Sequence, residues 1–149
     1  MSNIDERKIF RIIDANFNRA KEGLRVCEDI CRFFLEDKKK TARYKAIRHR
    51  LTTIVGVLPI KNLIQSRDIE GDVGKKSFGW ELKRKSACDI FYANSQRVKE
   101  SLRVLEELTK LRSQPWALSV KKIRYQIYAL EKKIIERLKA LFDFGCRGE

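Results

Sequence analysis

One stretch of this chain occurs twice. The segment ANFNRAKEGLRVCE at 15–28 realigns with ANSQRVKESLRVLE at 93–106, keeping Ala, Asn, Arg, Lys, Glu, Leu, Arg, Val and Glu in place. A weaker echo follows each copy, KAIRHRL at 45–51 against KKIRYQI at 121–127. Such a repeat constrains the fold strongly, because each copy has to form the same supersecondary unit and bury its apolar face against its neighbour. Within the copies the apolar residues fall three and four apart. They run Ile13, Phe17, Ala20, Leu24, Cys27, Cys31 and Phe34, then Tyr44, Ile47, Leu51, Ile54 and Leu58. The same spacing returns at Phe91, Val98, Leu102, Leu105 and Leu108 and at Val120, Ile123, Ile127, Leu130, Ile134, Leu138 and Leu141. That is helical periodicity, with no strand alternation. Of only seven glycines and two prolines, four glycines and Pro59 fall within residues 56–79 between the two halves, while Pro115 marks the break before the last helix and Gly145 its end. The spacing predicts an all-α protein of four long helices, two duplicated helical hairpins packed about a pseudo-twofold axis as a bundle. The hairpins cover residues 3–58 and 81–144, a glycine- and aspartate-containing linker loop covers 59–80, and a single helical domain covers 1–149.

At 149 residues the chain has the size of one domain. Its formal charge of +14 points to anionic partners: nucleic acid, phosphorylated metabolites or an acidic lipid surface. The N-terminus carries charges of both signs at Asp5, Glu6, Arg7 and Lys8, where a secretory signal would be apolar, so a cytoplasmic protein is expected. The longest apolar run, Ile54 to Ile60, is broken by Pro59 and is far short of a membrane span. Cys27, Cys31, Cys88 and Cys146 contain no CxxC pair and read as reduced core thiols, not a zinc site.

At 100° per residue, Asn16, Arg19, Glu22 and Gly23 fall along one edge of the first apolar stripe, and Asn94, Arg97, Glu100 and Ser101 repeat them. Two readings stay open: hydrogen bonds across the interface between the copies, or two guanidiniums facing a shared pocket for an anionic substrate. Arg25 and Glu28, echoed by Arg103 and Glu106, fall on the polar side and read as surface ion-pair ladders with Asp29 and Arg32. The linker segment from Arg67 to Lys76 crowds together two glycines, three carboxylates and three cations. Glycine amides such as that of Gly74 can approach phosphate, and Asp68 and Asp72 can hold Mg²⁺. Arg67 or Lys75 can neutralise a transferring phosphoryl group. A hydrophilic turn is the plainer alternative, and the spacing is not that of a P-loop. His49, the only histidine, is flanked by Arg48 and Arg50 and is either a lone general base beside a phosphate or an ordinary helical residue. Phe33, Phe34 and Trp80 could stack on a ring ligand, with core packing the expected role for the two phenylalanines.

The run Asp14-Ala15-Asn16-x-Asn18-Arg19-Ala20-x-Glu22-Gly23-Leu24-Arg25-Val26-x-Glu28-Asp29 resembles a known family, as do Arg67-Asp68, Gly71-Asp72-Val73-Gly74 and the second copy up to Glu107. The family is that of the strictly monofunctional hydroxymethylpyrimidine phosphate kinases of bacterial thiamine synthesis, which also occur fused to thiamine phosphate synthase. The likeness covers residues 9–135, with Tyr92 standing where the first copy has Asp14. The resemblance implies transfer of the γ-phosphoryl of ATP, with Mg²⁺, to 4-amino-5-hydroxymethyl-2-methylpyrimidine phosphate. It also implies a functional link to thiamine phosphate synthase. On matching motif positions the expected catalytic residues are Arg67, Asp68, Asp72, Glu22 and Glu100. The expected substrate and phosphate ligands are Asn16, Arg19, Asn94, Arg97, Gly74, Lys75, Arg48 and His49. A pocket within one chain and one shared in a homodimer both stay open. The competing expectations are a basic helical nucleic-acid binding module and a structural brace for the synthase. The interleaving of Lys and Arg with Asp and Glu disfavours the first, because a nucleic-acid binder gathers its cations on one face.

Overall fold

Short polar side chains set where the long helices begin. The structure, a computed structural model, describes residues 2–142, the side chains of Trp80 and Phe142 excepted, so the expectations for Trp80, Gly145 and Cys146 lie outside the described residues. In chain order come α1 (Asn3–Asp29), a π-helical turn (Ile30–Phe34), α2 (Lys38–Val55) and a short α3 (Ile60–Gln65). A 3₁₀ turn (Gly79–Leu82), α4 (Ala87–Thr109) and α5 (Gln114–Phe142) follow, and no strand occurs among the described residues. Ser2 accepts a hydrogen bond from the Asp5 amide, Asp37 from the Lys40 amide and Ser86 from the Asp89 amide, each satisfying a first-turn donor of its helix. Pro115, at the second position of α5, sits where its missing N–H costs nothing.

The four long helices are the expected ones. The additions are α3, whose Leu63 is buried against the core, inside what the sequence presented as a linker loop, and the 3₁₀ turn, which straddles the end of that loop. Six-residue and four-residue elements are too short for a periodic pattern to show. The π turn overturns another expectation. Phe33 and Phe34 are 68% and 46% exposed and lie outside the core, and Leu35, at 5%, takes the core position. A wide π turn holds more residues than an α turn, so it carries Phe34 past the stripe that strict α periodicity assigns to it. Glu36 then ends the segment in the left-handed region at φ 51°. At the far end Leu141 is 55% exposed, and the buried stripe of α5 closes at Leu138.

The core joins Ile13, Leu24 and Cys27 of α1, Tyr44 and Leu51 of α2, Phe91, Leu102 and Leu105 of α4, and Ile123, Ile127 and Ile134 of α5. The most extensive packing is α1 on α4, followed by α4 on α5 and α1 on α2. Gly23 lies against Asn94 and Val98, and the Cys27 thiol reaches the Phe91 carbonyl at 3.9 Å, so α1 and α4 run antiparallel. In the second layer the Arg50 guanidinium donates to Gln126 Oε1 at 2.8 Å. These two residues occupy equivalent positions of the repeated sequence. Burial pushes the Cys31 thiol up to about 12, with the nearby Asp37 carboxylate adding to it, and drives that of Cys27 higher still. Both are free protonated core thiols, as expected, whereas Cys88 is disulfide-bonded and departs from that expectation.

Candidate functional site

Two glutamates are buried where a surface ladder is expected. Glu28 is 3% and Glu106 4% exposed. An isolated carboxylate at such depth would cost several kcal/mol, so each has to be paired. Glu28 accepts from Arg48 Nε of α2 at 3.0 Å and from Arg25 at 3.4 Å. Glu106 accepts from Arg124 Nε of α5 at 3.0 Å and from Arg103 at 3.5 Å. The same glutamate with the same two arginines is therefore built into both hairpins. The expected partners Asp29 and Arg32 give way to arginines of the neighbouring helix because the buried arc of α1 reaches round to the Glu28 flank. Counting from Asn16 at 100° per residue, Glu28 lies at about 120° and Asp14 at about 160°, on the side that meets α2. Arg19 and Glu22 lie at about 300° and 240°, outside the arc. Arg19, Glu22, Arg97 and Glu100 are accordingly all exposed, and the expected shared arginine pocket at the edge of the stripe is not formed.

Asn16 is buried and Asn94 partly so, yet neither hydrogen-bonds across the interface: each donates its amide to a carbonyl of its own helix, Ile12 at 2.9 Å and Ile90 at 2.8 Å. His49 is exposed on α2. Arg48 is part of the site, held on Glu28.

Between α4 and α5 opens a cleft of about 450 Å³ lined by Gln96, Lys99, Glu100, Arg103, Arg124 and Tyr128. Lys99 donates to Glu131 at 2.8 Å and lies over the Tyr128 ring at 4.9 Å. Burial works against the Arg124 cation, but the Glu106 bond and the neighbouring Tyr128 outweigh it and hold the guanidinium above its ordinary range. In the first hairpin the repeat places Asn18, Lys21, Glu22, Arg25, Arg48 and Thr52 at the matching positions. That copy has Thr52 where Tyr128 stands, and its ring is Phe17, over which Lys21 lies at 5.4 Å. Another cleft, of about 320 Å³ between the start of α1 and α3, is lined by Asn3, Glu6, Arg7 and Phe10 with Asn62, Gln65 and Ser66, none of them an expected site residue.

The linker docks on the first hairpin through Arg67. Its guanidinium forks onto Asp14, Nε at 2.6 Å and Nη2 at 3.0 Å, and the hydrogen-bonded carboxylate holds Arg67 above its ordinary range. Asn18 donates to the Asp14 carbonyl at 2.9 Å and its carboxylate at 3.2 Å, and Arg11 donates to the Asp68 carbonyl at 2.9 Å. Asp14, Asn18, Lys21, Arg25 and Glu28 recur four and three apart, so one continuous polar line runs along α1 from Arg67 to Arg48. The loop beyond is braced internally. Asp68 Oδ1 accepts the Gly71 amide at 2.8 Å and Asp72 Oδ1 the Gly74 amide at 2.9 Å. A Cβ on residue 71 would come within 2.3 Å of Asp68 Oδ2, so a larger residue there would displace the aspartate from the Gly71 amide. The glycine amides expected to cradle phosphate are thus turned to these aspartates. Lys75 stands exposed, 3.9 Å from Glu70. Among the described residues no three histidine, cysteine or acidic side chains converge on a metal-sized site, and no helix is long and apolar enough to cross a membrane.

The pieces that sequence reasoning missed are Asp14, Glu28, Glu106, Arg124 and Tyr128. The signal was present in the repeat, where Glu28 and Arg48 recur together as Glu106 and Arg124.

Comparison with known proteins places these residues in context. The family model of the ThiD2 family matches residues 11–133, and the chain belongs to that family. A thiamine-phosphate synthase of Rhodopirellula baltica is 37% identical over 142 residues, covering 95% of this chain and 38% of the relative. One of Synechocystis sp. is 39% identical over 137 residues, covering 88% of this chain and 39% of the relative. The chain thus spans about two fifths of the length of these relatives. No solved structure matches it.

Proposed function

Proceeding from membership of the ThiD2 family, we propose that this chain is a phosphotransferase of thiamine biosynthesis. It moves the γ-phosphoryl group of ATP onto 4-amino-5-hydroxymethyl-2-methylpyrimidine phosphate. An oxygen of the substrate phosphate attacks the γ-phosphorus, the bond to the β–γ bridging oxygen breaks, and ADP leaves as the new diphosphate linkage forms. The observation that carries the reading is the match to thiamine-phosphate synthases over about two fifths of their length, confined to this helical unit. A unit joined to such a synthase has a direct use if it makes the pyrimidine diphosphate that the synthase condenses.

The chemistry of the site supports it. Phosphoryl transfer needs positioning and charge neutralisation more than covalent help from the protein. The polar line on α1 offers Lys21, Arg25, Arg48 and Arg67, and the cleft between α4 and α5 offers Lys99, Arg103 and Arg124. Mg²⁺ is usually held by one or two carboxylates together with the substrate phosphates. Asp68 and Asp72 suit that role, since each caps a glycine amide through one oxygen and keeps the other. When bound, Mg²⁺ would neutralise charge on the nucleotide phosphates, while Arg67, oriented by Asp14, holds the loop against α1. Ion pairs occur on α1, α2, α4 and α5, and this interleaving of charge favours a small anionic substrate over a nucleic-acid groove.

The test is steady-state ADP formation by the purified chain with the pyrimidine monophosphate and with the unphosphorylated alcohol. Turnover of the monophosphate and little of the alcohol is expected, because a site built on arginines leaves its cations unpaired when the phosphate is missing. ADP formation that does not depend on the pyrimidine refutes the reading.

A further inference from the structure

The two hairpins present matching polar edges, but only the second carries an aromatic residue at the 52/128 position. In the α4–α5 cleft Tyr128 forms a wall, 45% exposed, and Gln96 makes no side-chain hydrogen bond among the described residues. At the matching positions of the first hairpin stand Thr52, which has no ring, and Asn18, whose amide is already committed to Asp14. Of the cleft's cations, Lys99 is held by Glu131 and Arg124 by Glu106. Arg103 is different. Its side chain is 56% exposed and its contacts to Glu106 and Glu107 are long, 3.5 and 3.3 Å.

We propose that the α4–α5 cleft is the subsite for a phosphorylated aminopyrimidine-type ring, with Tyr128 stacking on its face, Gln96 reading its amino edge and Arg103 taking a phosphate. A glutamine amide offers an acceptor to an exocyclic amino group and a donor to the adjacent ring nitrogen, the pairing by which such amides read adenine. A tyrosine face contributes stacking that tolerates any such ring. An arginine that reorients from two loose carboxylate contacts can fork onto phosphate oxygens. Arg124 lines the back of the cleft, fixed on Glu106, and adds positive potential there. The inference rests on the phosphotransferase reading for its choice of ligands. An adenine nucleotide and the aminopyrimidine phosphate share this ring chemistry, and the pseudo-symmetric first hairpin, with its loop carboxylates, is left to the other substrate.

The experiment is calorimetric titration of the whole chain with a non-hydrolysable ATP analogue and, separately, with the pyrimidine monophosphate. It compares the wild type with Tyr128→Leu, Gln96→Leu, Arg103→Met and, as a control for an exposed ring that does not line this cleft, Phe33→Leu. Each of the three cleft variants should weaken the same ligand by about tenfold or more, while Phe33→Leu stays within about twofold. Loss confined to the nucleotide makes this the donor subsite, and loss confined to the pyrimidine phosphate makes it the acceptor subsite. Both ligands staying within about twofold in Tyr128→Leu and Gln96→Leu overturns the assignment, as does an equal loss in Phe33→Leu. The two readings fail separately. A wild type that binds the ring ligand through Tyr128 without turning it over refutes the kinase and keeps the subsite, and turnover with unaltered binding in all three variants does the reverse.

Discussion

Replacing Gly23 by alanine sets two effects of opposite sign against each other. In an exposed helix interior the change would stabilise by about 1 kcal/mol, because glycine is the poorer helix former. Here the added Cβ would sit 2.7 Å from Val98 Cγ2 and 3.0 Å from the Asn94 carbonyl oxygen, against a contact optimum of about 3.5–4.0 Å. Neither neighbour yields easily. Val98 is fully buried and β-branched, with one strongly preferred rotamer in a helix, and the Asn94 carbonyl belongs to the backbone of α4. Relief requires the two helices to move apart along the best-packed seam of the bundle, and overpacking against two such unyielding neighbours costs about 2–3 kcal/mol, the upper part of the usual range. The net expectation is a loss of about 1–2 kcal/mol, or a fall in Tm of roughly 3–8 °C by thermal circular dichroism. Adding Val98→Ala should recover only part of the loss, because it removes the methyl contact, leaves the carbonyl and opens a void. A Gly23→Ala protein as stable as the wild type would refute the close approach of α1 to α4.

Glu106→Gln strands Arg124, 12% exposed in its side chain, and should cost about 3–5 kcal/mol by urea denaturation, whereas Arg103→Met, on a half-exposed guanidinium, should cost under about 1. Equal losses would mean that Glu106 is not the buried anchor of the hairpin. Acid denaturation should show Asp37: burial opposes its charge, but the Lys40 hydrogen bonds and the Arg137 cation hold its carboxyl at about 2 against an ordinary 3.8. A depressed folded-state value means that the stabilisation is complete above about pH 4 and is lost as the pH falls towards 2, so Asp37→Asn should lower stability at neutral pH and flatten the acid limb. A variant with the wild-type acid limb would remove Asp37 from that role. Asp72→Asn keeps the size of the side chain while removing its charge, so kcat and the Mg²⁺ dependence should fall by about tenfold or more with helix content unchanged. Near-normal kcat would reduce the loop to a turn.

The long helices were legible because the repeat and the three-and-four spacing state the same thing at two levels, from Ile13 to Cys31 and again from Phe91 to Leu105. Where the spacing stopped being α-helical it misled. The π turn at Ile30–Phe34 leaves no composition mark, so Phe34 reads as core and is not. The site was harder still, because a helical wheel gives angles but not the direction from which a neighbouring helix arrives. Arg19 and Glu22 sit on one flank of the α1 stripe and Asp14 and Glu28 on the other, and only the position of α2 shows which flank is closed. Arg67 was singled out for its charge in a glycine-containing loop. Its partner Asp14, 53 residues earlier, could not be found without the fold.

The most direct measurement is the phosphorus NMR spectrum of the products formed from ATP, Mg²⁺ and the pyrimidine monophosphate by the wild-type chain. The expected result is loss of the monophosphate resonance and growth of two coupled diphosphate resonances from the pyrimidine product, in step with formation of ADP. An unchanged pyrimidine monophosphate, with ATP intact or hydrolysed only to ADP and inorganic phosphate, would contradict phosphoryl transfer to the substrate phosphate.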